Sequence, residues 1–187
     1  MSELEKMLNG ELYSFADEEI IALSKKANEL MYEFNKSDLD REHLSQVLHL
    51  LIPNAAPNAT ILPPFRCDYG FRITLGENTF VNRNCTFLDA GGITIGKNCK
   101  IGPDCHLFTP QHPINYLKRR EPVEYPIGIT IGDDCWLGGN VTIAPGVKIG
   151  NRCVIGAGSV VVKDIPDDSL AVGNPAKVIK KISTENN

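Results

Sequence analysis

The sequence lacks the features that mark a membrane-spanning, nucleic-acid-binding or zinc-binding protein. No window approaches the roughly 18 consecutive apolar residues of a membrane span, and a net charge of −4 gives no sign of nucleic-acid binding. The six cysteines form no Cys-x-x-Cys pair, a spacing typical of zinc and redox sites. The first 15 residues are charged and lack the apolar core of a signal peptide. We therefore expect a cytoplasmic protein with no membrane or nucleic-acid partner.

What the sequence does contain is an apolar residue at every sixth position over most of its second half. The later run is Ile131, Leu137, Ile143, Ile149, Ile155 and Val161, and the earlier run, with one slip, is Leu75, Val81, Phe87, Ile95, Ile101 and Leu107. A period of six is unlike the spacing of a helix stripe or a coiled coil. It predicts a hexapeptide β-helix, in which a short strand and a tight turn repeat around a prism.

All six cysteines occupy one position of this repeat, two residues before an inward apolar residue. Because strand side chains alternate between faces, Cys99 and Ile101 should point inward and Lys100 outward. We interpret the cysteines as small buried apolar groups, not as disulfide partners or metal ligands. Unpaired buried thiols are also typical of a reducing compartment.

The chain before the repeat is predicted to be helical. The acidic residues that begin at Asp17 start an amphipathic helix that continues to Phe34. A second helix is expected to begin at Ser37 or Asp38 and to end before Pro53. We expect a helical domain at residues 1–60 and a β-helix domain at 61–187, whose tail at 174–182 forms a final short strand.

The repeat is interrupted by a segment with a different composition. Ile131 lies 24 positions after Leu107, yet the pattern disappears between them. We expect a long loop at about 108–128, and loops of this length on a rigid scaffold are usually functional. His112 lies at its base and is a candidate general base near neutral pH; the alternative is an exposed histidine without a role.

Several segments together resemble the maltose and galactoside O-acetyltransferases, a family of hexapeptide-repeat acyltransferases. They are MLNGELY at 7–13, FRCDYG at 65–70, VN at 81–82, HPI at 112–114, DDCWLGG at 133–139, IGAGS at 155–159, VKDIP at 162–166 and GNPA at 173–176. The resemblance implies a left-handed parallel β-helix and a homotrimer with active sites between subunits. It also implies acetyl-CoA as co-substrate, a sugar hydroxyl as acceptor and no metal.

The resemblance also assigns residues by position. It implies that His112 is the catalytic histidine and that Asn82 helps to hold the reacting groups. The expected substrate-binding residues are Asp17, Asp68, Asn82, Asp89, Glu124 and Tyr125, of which the last two could instead orient the histidine. The expected cofactor-binding residues are Trp136, Gly139, Ala157, Val162, Lys163, Lys177 and Lys180.

Three departures from the family pattern bear on specificity. Ala90 stands where galactoside enzymes carry an acid, which favours the maltose type. Gly139 offers only its backbone N–H to a developing oxyanion. Lys177 and Lys180 stand where some relatives have arginine, so the charge is kept but the bidentate phosphate geometry is lost. Without the resemblance, the C-terminal lysines are equally a solvated basic edge.

The implied mechanism is direct transfer, in which His112 takes the proton of a sugar hydroxyl as its oxygen attacks the thioester. Three alternatives stay open. The acceptor could be an antibiotic, an amino sugar or serine. A metalloenzyme of the carbonic anhydrase type needs three histidines at one metal, and the β-helix offers only His106 and His112. A purely structural β-helix would not bind acetyl-CoA.

Overall fold

The computed structural model describes residues 1–36 and 40–183, which form three α-helices, a parallel β-helix and one short 3-10 helix at Lys118–Arg120. The helices are α1 (Glu3–Leu8), α2 (Glu18–Phe34) and α3 (Arg41–Leu51). Asp17 caps α2, where its carboxylate accepts from the backbone N of Glu19 at 3.0 Å. The expected start of the next helix at Ser37 or Asp38 lies outside the described residues; helix α3 begins at Arg41, with Asp40 as its N-cap. No helix in the described ranges is long and apolar enough to cross a bilayer.

The strands are short, and most contain two or three residues. They are β1 (Tyr13–Ser14), β2 (Asn54–Ala55), β3 (Thr60–Ile61), β4 (Phe65–Cys67), β5 (Ile73–Leu75), β6 (Phe80–Val81), β7 (Cys85–Leu88), β8 (Ile93–Ile95), β9 (Lys100–Ile101), β10 (His106–Phe108), β11 (Pro110–Gln111), β12 (Val123–Pro126), β13 (Ile129–Ile131), β14 (Trp136–Leu137), β15 (Thr142–Ile143), β16 (Lys148–Ile149), β17 (Val154–Ile155), β18 (Val160–Val161), β19 (Ser169–Gly173) and β20 (Ala176–Lys181).

Successive strands visit three faces of a prism in turn, which confirms the predicted repeat. Face 1 is β2-β5-β8-β13-β16, face 2 is β3-β6-β9-β14-β17-β19-β20, and face 3 is β4-β7-β10-β15-β18. Each strand of these faces except β20 pairs in parallel with the strand one coil away, so Ile73 lies beside Ile93, and Ile93 beside Ile129. The apolar residues of the repeat therefore stack in buried columns inside the prism.

The turns between faces form three columns along the prism, which we call corners 1, 2 and 3. Corner 1 joins face 1 to face 2, corner 2 joins face 2 to face 3, and corner 3 joins face 3 to face 1. At corner 2, a Cβ atom on Gly102 would lie 2.6 Å from the backbone N of Gly139 in the next coil. Glycine is required there because the coils approach each other too closely for a side chain.

The six cysteines are buried and unpaired, as expected. Most of their thiols donate to carbonyl groups of a neighbouring turn: Cys99 Sγ lies 3.1 Å from the Gly132 oxygen, and Cys135 Sγ lies 3.0 Å from the Gly150 oxygen. A small side chain with one weak donor therefore fits a buried position that faces a turn carbonyl.

The core is continuous from the helices into the prism, because residues of α2 and α3 belong to the same buried cluster as the inward columns. The expected boundary after residue 60 falls inside β3, and β2 already pairs with β5 of the prism. The division into two domains stays a prediction.

The expected loop at 108–128 leaves the prism at corner 3, and part of it is regular structure. Strands β11 and β12 pair antiparallel, and β12 also pairs antiparallel with β1 near the start of the chain. The excursion is therefore attached to the N-terminal region by backbone hydrogen bonds. At the other end of the chain, the predicted final strand is β20, which pairs antiparallel with β19 and is largely exposed.

Candidate active site

A cavity of about 450 Å³ opens beside His112, where the excursion, corner 3 and the N-terminal segment meet. Its walls combine aromatic rings with two carboxyl groups and one imidazole. The lining residues are Phe15, Asp68, Tyr69, Leu88, Phe108, Pro110, His112 and Glu124. The structure thus brings together His112, Asp68 and Glu124 from the expected site residues.

His112 is held in an orientation that suits a general base. Its Nδ1 atom lies 3.2 Å from the carbonyl oxygen of Val123 in β12. A carbonyl only accepts hydrogen bonds, so Nδ1 carries the proton and Nε2 keeps a free lone pair. The Phe15 ring meets the imidazole edge-on, with the ring centroids 6.0 Å apart. Arg119 holds the following segment, because its Nη1 lies 2.9 Å from the carbonyl oxygens of Pro113 and Ile114.

Asp68 lies at corner 3, directly after β4, and its side chain is half-buried in the cavity wall. Burial, together with the negative charges of Asp89 and Glu124, raises the pKa of Asp68 from 3.8 to about 7. This carboxyl group can therefore either donate or accept a hydrogen bond to a ligand near neutral pH.

Asp89 does not reach the cavity, so its expected role as a substrate contact is corrected. Its side chain is 0% exposed, and its carboxylate accepts from the backbone N atoms of Asp68 at 3.0 Å, Tyr69 at 2.9 Å and Arg72 at 3.4 Å. Asp89 lies one coil beyond Asp68 at the same corner, where these bonds fix the turn that carries Asp68 and Tyr69. It is a positioning residue.

Glu124 is buried on β12, and its carboxylate accepts a hydrogen bond from the hydroxyl of Tyr13 on β1. The two residues are direct partners in the β1–β12 register. Burial raises the pKa of the Tyr13 phenol, and burial likewise raises the pKa of Tyr69 to about 12. Tyr125 is the next residue along β12 and points to the other side. It is exposed and is not among the described residues that line the cavity.

The sequence interpretation missed four aromatic residues of this region: Tyr13, Phe15, Tyr69 and Phe108. Tyr69 stands inside the FRCDYG segment, directly after Asp68, and that position was the available signal. Tyr13 and Phe15 belong to or follow β1, a two-residue strand whose partner lies about 110 positions away. A pairing so distant leaves no local periodicity in the sequence.

The remaining expected residues lie elsewhere on the same chain. Asn82, Gly139 and Ala157 follow strands of face 2 and stack at corner 2, and the Asn82 Oδ1 accepts from the N of Arg83 at 2.8 Å. Trp136 is exposed on face 2.

The other expected cofactor residues cluster towards the C-terminal end. Val162 and Lys163 follow β18, and Lys177 and Lys180 are exposed on β20. Asp17 remains at the N-terminus of α2 as its cap. His112 and the corner 2 residues therefore lie at different corners of one prism.

Three family models match this chain in the order of its structure. The maltose acetyltransferase hexapeptide capping motif matches residues 6–53, the hexapeptide repeat of succinyl-transferase matches residues 72–103, and the bacterial transferase hexapeptide (six repeats) matches residues 128–163. The first covers the helical region and the other two cover the prism. Fold and repeat together define a hexapeptide-repeat acyltransferase.

Solved structures extend this likeness over nearly the whole chain. A maltose O-acetyltransferase from Clostridium difficile 630 is 42% identical over 98% of each chain, with a TM-score of 0.95. An acetyltransferase from Vibrio cholerae in complex with acetyl coenzyme A is 40% identical over 98% of this chain and 100% of that one, with a TM-score of 0.91. A galactoside acetyltransferase in complex with coenzyme A is 36% identical over 98% and 92%, with a TM-score of 0.93. The chain belongs to the maltose and galactoside O-acetyltransferase family, and it is an acetyltransferase.

Proposed function

We propose that the protein transfers the acetyl group of acetyl-CoA to a hydroxyl group of a sugar, with His112 as the general base. The observation that carries this proposal is the hydrogen-bond distance between His112 Nδ1 and the Val123 carbonyl oxygen, which leaves Nε2 of the neutral imidazole as the proton acceptor of a residue that lines the cavity. The family and the coenzyme A complexes of the similar structures support acetyl-CoA as the donor.

The proposed reaction needs one proton carrier and no covalent enzyme intermediate. His112 Nε2 accepts the hydroxyl proton while the oxygen of the acceptor attacks the thioester carbonyl. Asn82 or a backbone N–H group, such as that of Gly139, donates to the tetrahedral oxyanion. When the C–S bond breaks, the imidazolium returns its proton to the CoA thiolate. The products are the acetylated sugar and free CoA.

We propose a homotrimer as the active form, because one chain holds only part of the machinery. The His112 cavity is at corner 3, whereas Asn82 and the expected cofactor residues Gly139 and Ala157 are at corner 2. A neighbouring copy that presents its corner 2 to this cavity would complete the site. A closed ring of identical copies satisfies this requirement at every site.

The acceptor side of the proposal rests on the cavity walls. Asp68 and Glu124 offer carboxyl groups to hydroxyls, while Phe15 and Tyr69 offer ring surfaces. Ala90 favours a maltose-type acceptor over a galactoside. Six unpaired thiols favour a reducing compartment, so we also propose a cytoplasmic location.

The experiment is thiol release from acetyl-CoA across a panel of sugars, amino sugars, serine and aminoglycosides. We expect His112→Ala to lower kcat by at least about 10²-fold, because general-base catalysis typically contributes 10²–10⁴-fold. His49→Ala, on α3 outside the cavity, is the matched control and should keep the wild-type rate. Equal rates in wild type and His112→Ala would remove His112 from the mechanism. A best acceptor outside the sugars would overturn the sugar assignment.

A further inference from the structure

A second concavity of about 690 Å³ adjoins the His112 cavity along helix α2. We call it the α2 trough. Phe15 and Tyr69 line both spaces, so the same two rings form the boundary between them. Both volumes fall within the range of about 300–1,000 Å³ that is usual for small-molecule sites. A ligand that extends past these rings from His112 would enter the trough.

The trough is walled by one side of α2. Ile21, Ser24, Asn28 and Tyr32 all line it, and their spacing of three or four residues places them in a row along the helix. Ile21 is 52% exposed and Tyr32 is 75% exposed, although both are large and apolar. The row therefore places the hydroxyl and amide groups of Ser24 and Asn28 between the apolar surfaces of Ile21 and Tyr32.

This combination matches the chemistry of a sugar ring, which has apolar C–H surfaces and hydroxyl groups around its edge. Aromatic and aliphatic side chains pack against the C–H surfaces, and Ser24 and Asn28 can both donate to and accept from hydroxyls. Lys25 and Glu29 add one charge of each sign to the trough lining. The trough thus has no excess of positive charge that would favour a phosphate or a carboxylate.

We infer that the α2 trough is a second acceptor subsite, which binds a further sugar unit of an acceptor whose terminal unit is acetylated beside His112. The preferred acceptor is then a disaccharide or longer oligosaccharide instead of a free hexose. This inference rests on the proposed sugar acetyltransferase function, and it adds that part of the recognition comes from a sugar unit that does not react. Its contacts would lower KM or raise kcat/KM without touching the reacting atoms.

The test compares kcat/KM for a hexose, the disaccharide and the trisaccharide that contain it, such as glucose, maltose and maltotriose. We expect the disaccharide to exceed the hexose by about tenfold or more in the wild type, the factor that a few added contacts supply. Ser24→Leu removes a hydroxyl from the trough and narrows it with a good helix former, so it should bring this ratio close to one. Ala22→Leu places the same side chain at an exposed position of α2 outside the trough lining and should keep it.

The outcomes separate this inference from the proposed function. Equal kcat/KM for all three sugars in the wild type, or an unchanged ratio in Ser24→Leu, would overturn the subsite while leaving sugar acetylation intact. Loss of assembly in Ser24→Leu, measured by sedimentation, would show that the trough is a contact between copies and would also overturn it. If no sugar is acetylated, calorimetry with maltotriose decides: binding that Ser24→Leu abolishes supports the subsite, and absence of binding refutes it.

Discussion

Asp68 provides a quantitative test of the cavity's electrostatics. Its carboxyl is half-buried beside two other acids, and burial together with Asp89 and Glu124 raises its pKa from 3.8 to about 7. The folded protein therefore binds this proton more tightly than the unfolded chain does. Ionising Asp68 must cost folding free energy, and the cost develops as pH rises from about 4 to about 7.

The size of the effect follows from the two pKa values. Since a tenfold change in proton affinity equals 1.36 kcal/mol, the interval from 3.8 to about 7 corresponds to at most about 4 kcal/mol. Partial exposure reduces this, and we expect about 2–4 kcal/mol. Asp68→Asn removes the titratable group. The free energy of unfolding of the variant, minus that of the wild type, should therefore rise by that amount between pH 4.5 and pH 8.

The assay is denaturant unfolding of both proteins across this pH range at one fixed protein concentration, because an oligomer's stability depends on concentration. Asp168→Asn is the control. Arg152 holds the pKa of Asp168 below its usual range, so this carboxylate is ionised in both the folded and the unfolded chain above pH 4.5, and its removal should change the free energy of unfolding by the same amount at every pH of the range. Asparagine also tolerates the φ of 57° at position 168. A difference between wild type and Asp68→Asn that is the same at every pH would refute the reasoning.

Two further predictions concern the frame around the cavity. Asp89→Ala should lower the free energy of unfolding by about 3 kcal/mol or more, because three backbone N–H groups lose their acceptor. Denaturant unfolding measures this loss, and a loss below about 1 kcal/mol would contradict the positioning role of Asp89. Gly70→Ala should cost more than Gly158→Ala by at least about 2 kcal/mol in the same assay. Both glycines have positive φ, but an added Cβ would lie 2.2 Å from the Leu51 carbonyl oxygen at Gly70 and would meet nothing within 4 Å at Gly158; equal losses would show that the Gly70 turn can move away from α3.

The sequence was sufficient for the prism because the repeat is local. Inward-facing positions recur every six residues along the chain. The burial of Ile101, Leu137 and Ile155 follows directly from that spacing. The cysteine position was predictable for the same reason. Helix α1 could also have been found, since Ser2 and Glu5 form a capping box at its start.

The candidate site was less predictable because it depends on contacts between distant segments. Glu124 faces the cavity only because β12 pairs with β1, which also brings Tyr13 to it. Asp89 looked like a ligand contact because it is an acid next to the expected acceptor position. Only the backbone of the preceding coil shows that its carboxylate is already occupied by Asp68, Tyr69 and Arg72.

The antiparallel strand β20 also limits how far the prism can grow. A parallel β-helix exposes unpaired backbone at both ends, and such edges can add further coils from other molecules into a fibre. At the first end, helices α2 and α3 share the core of the opening coils. At the last end, the chain reverses direction after β19. Strand β20 then presents Lys177, Lys180 and Lys181 along the edge of face 2. The reversed strand direction and this row of positive charges oppose the addition of a further parallel coil at face 2.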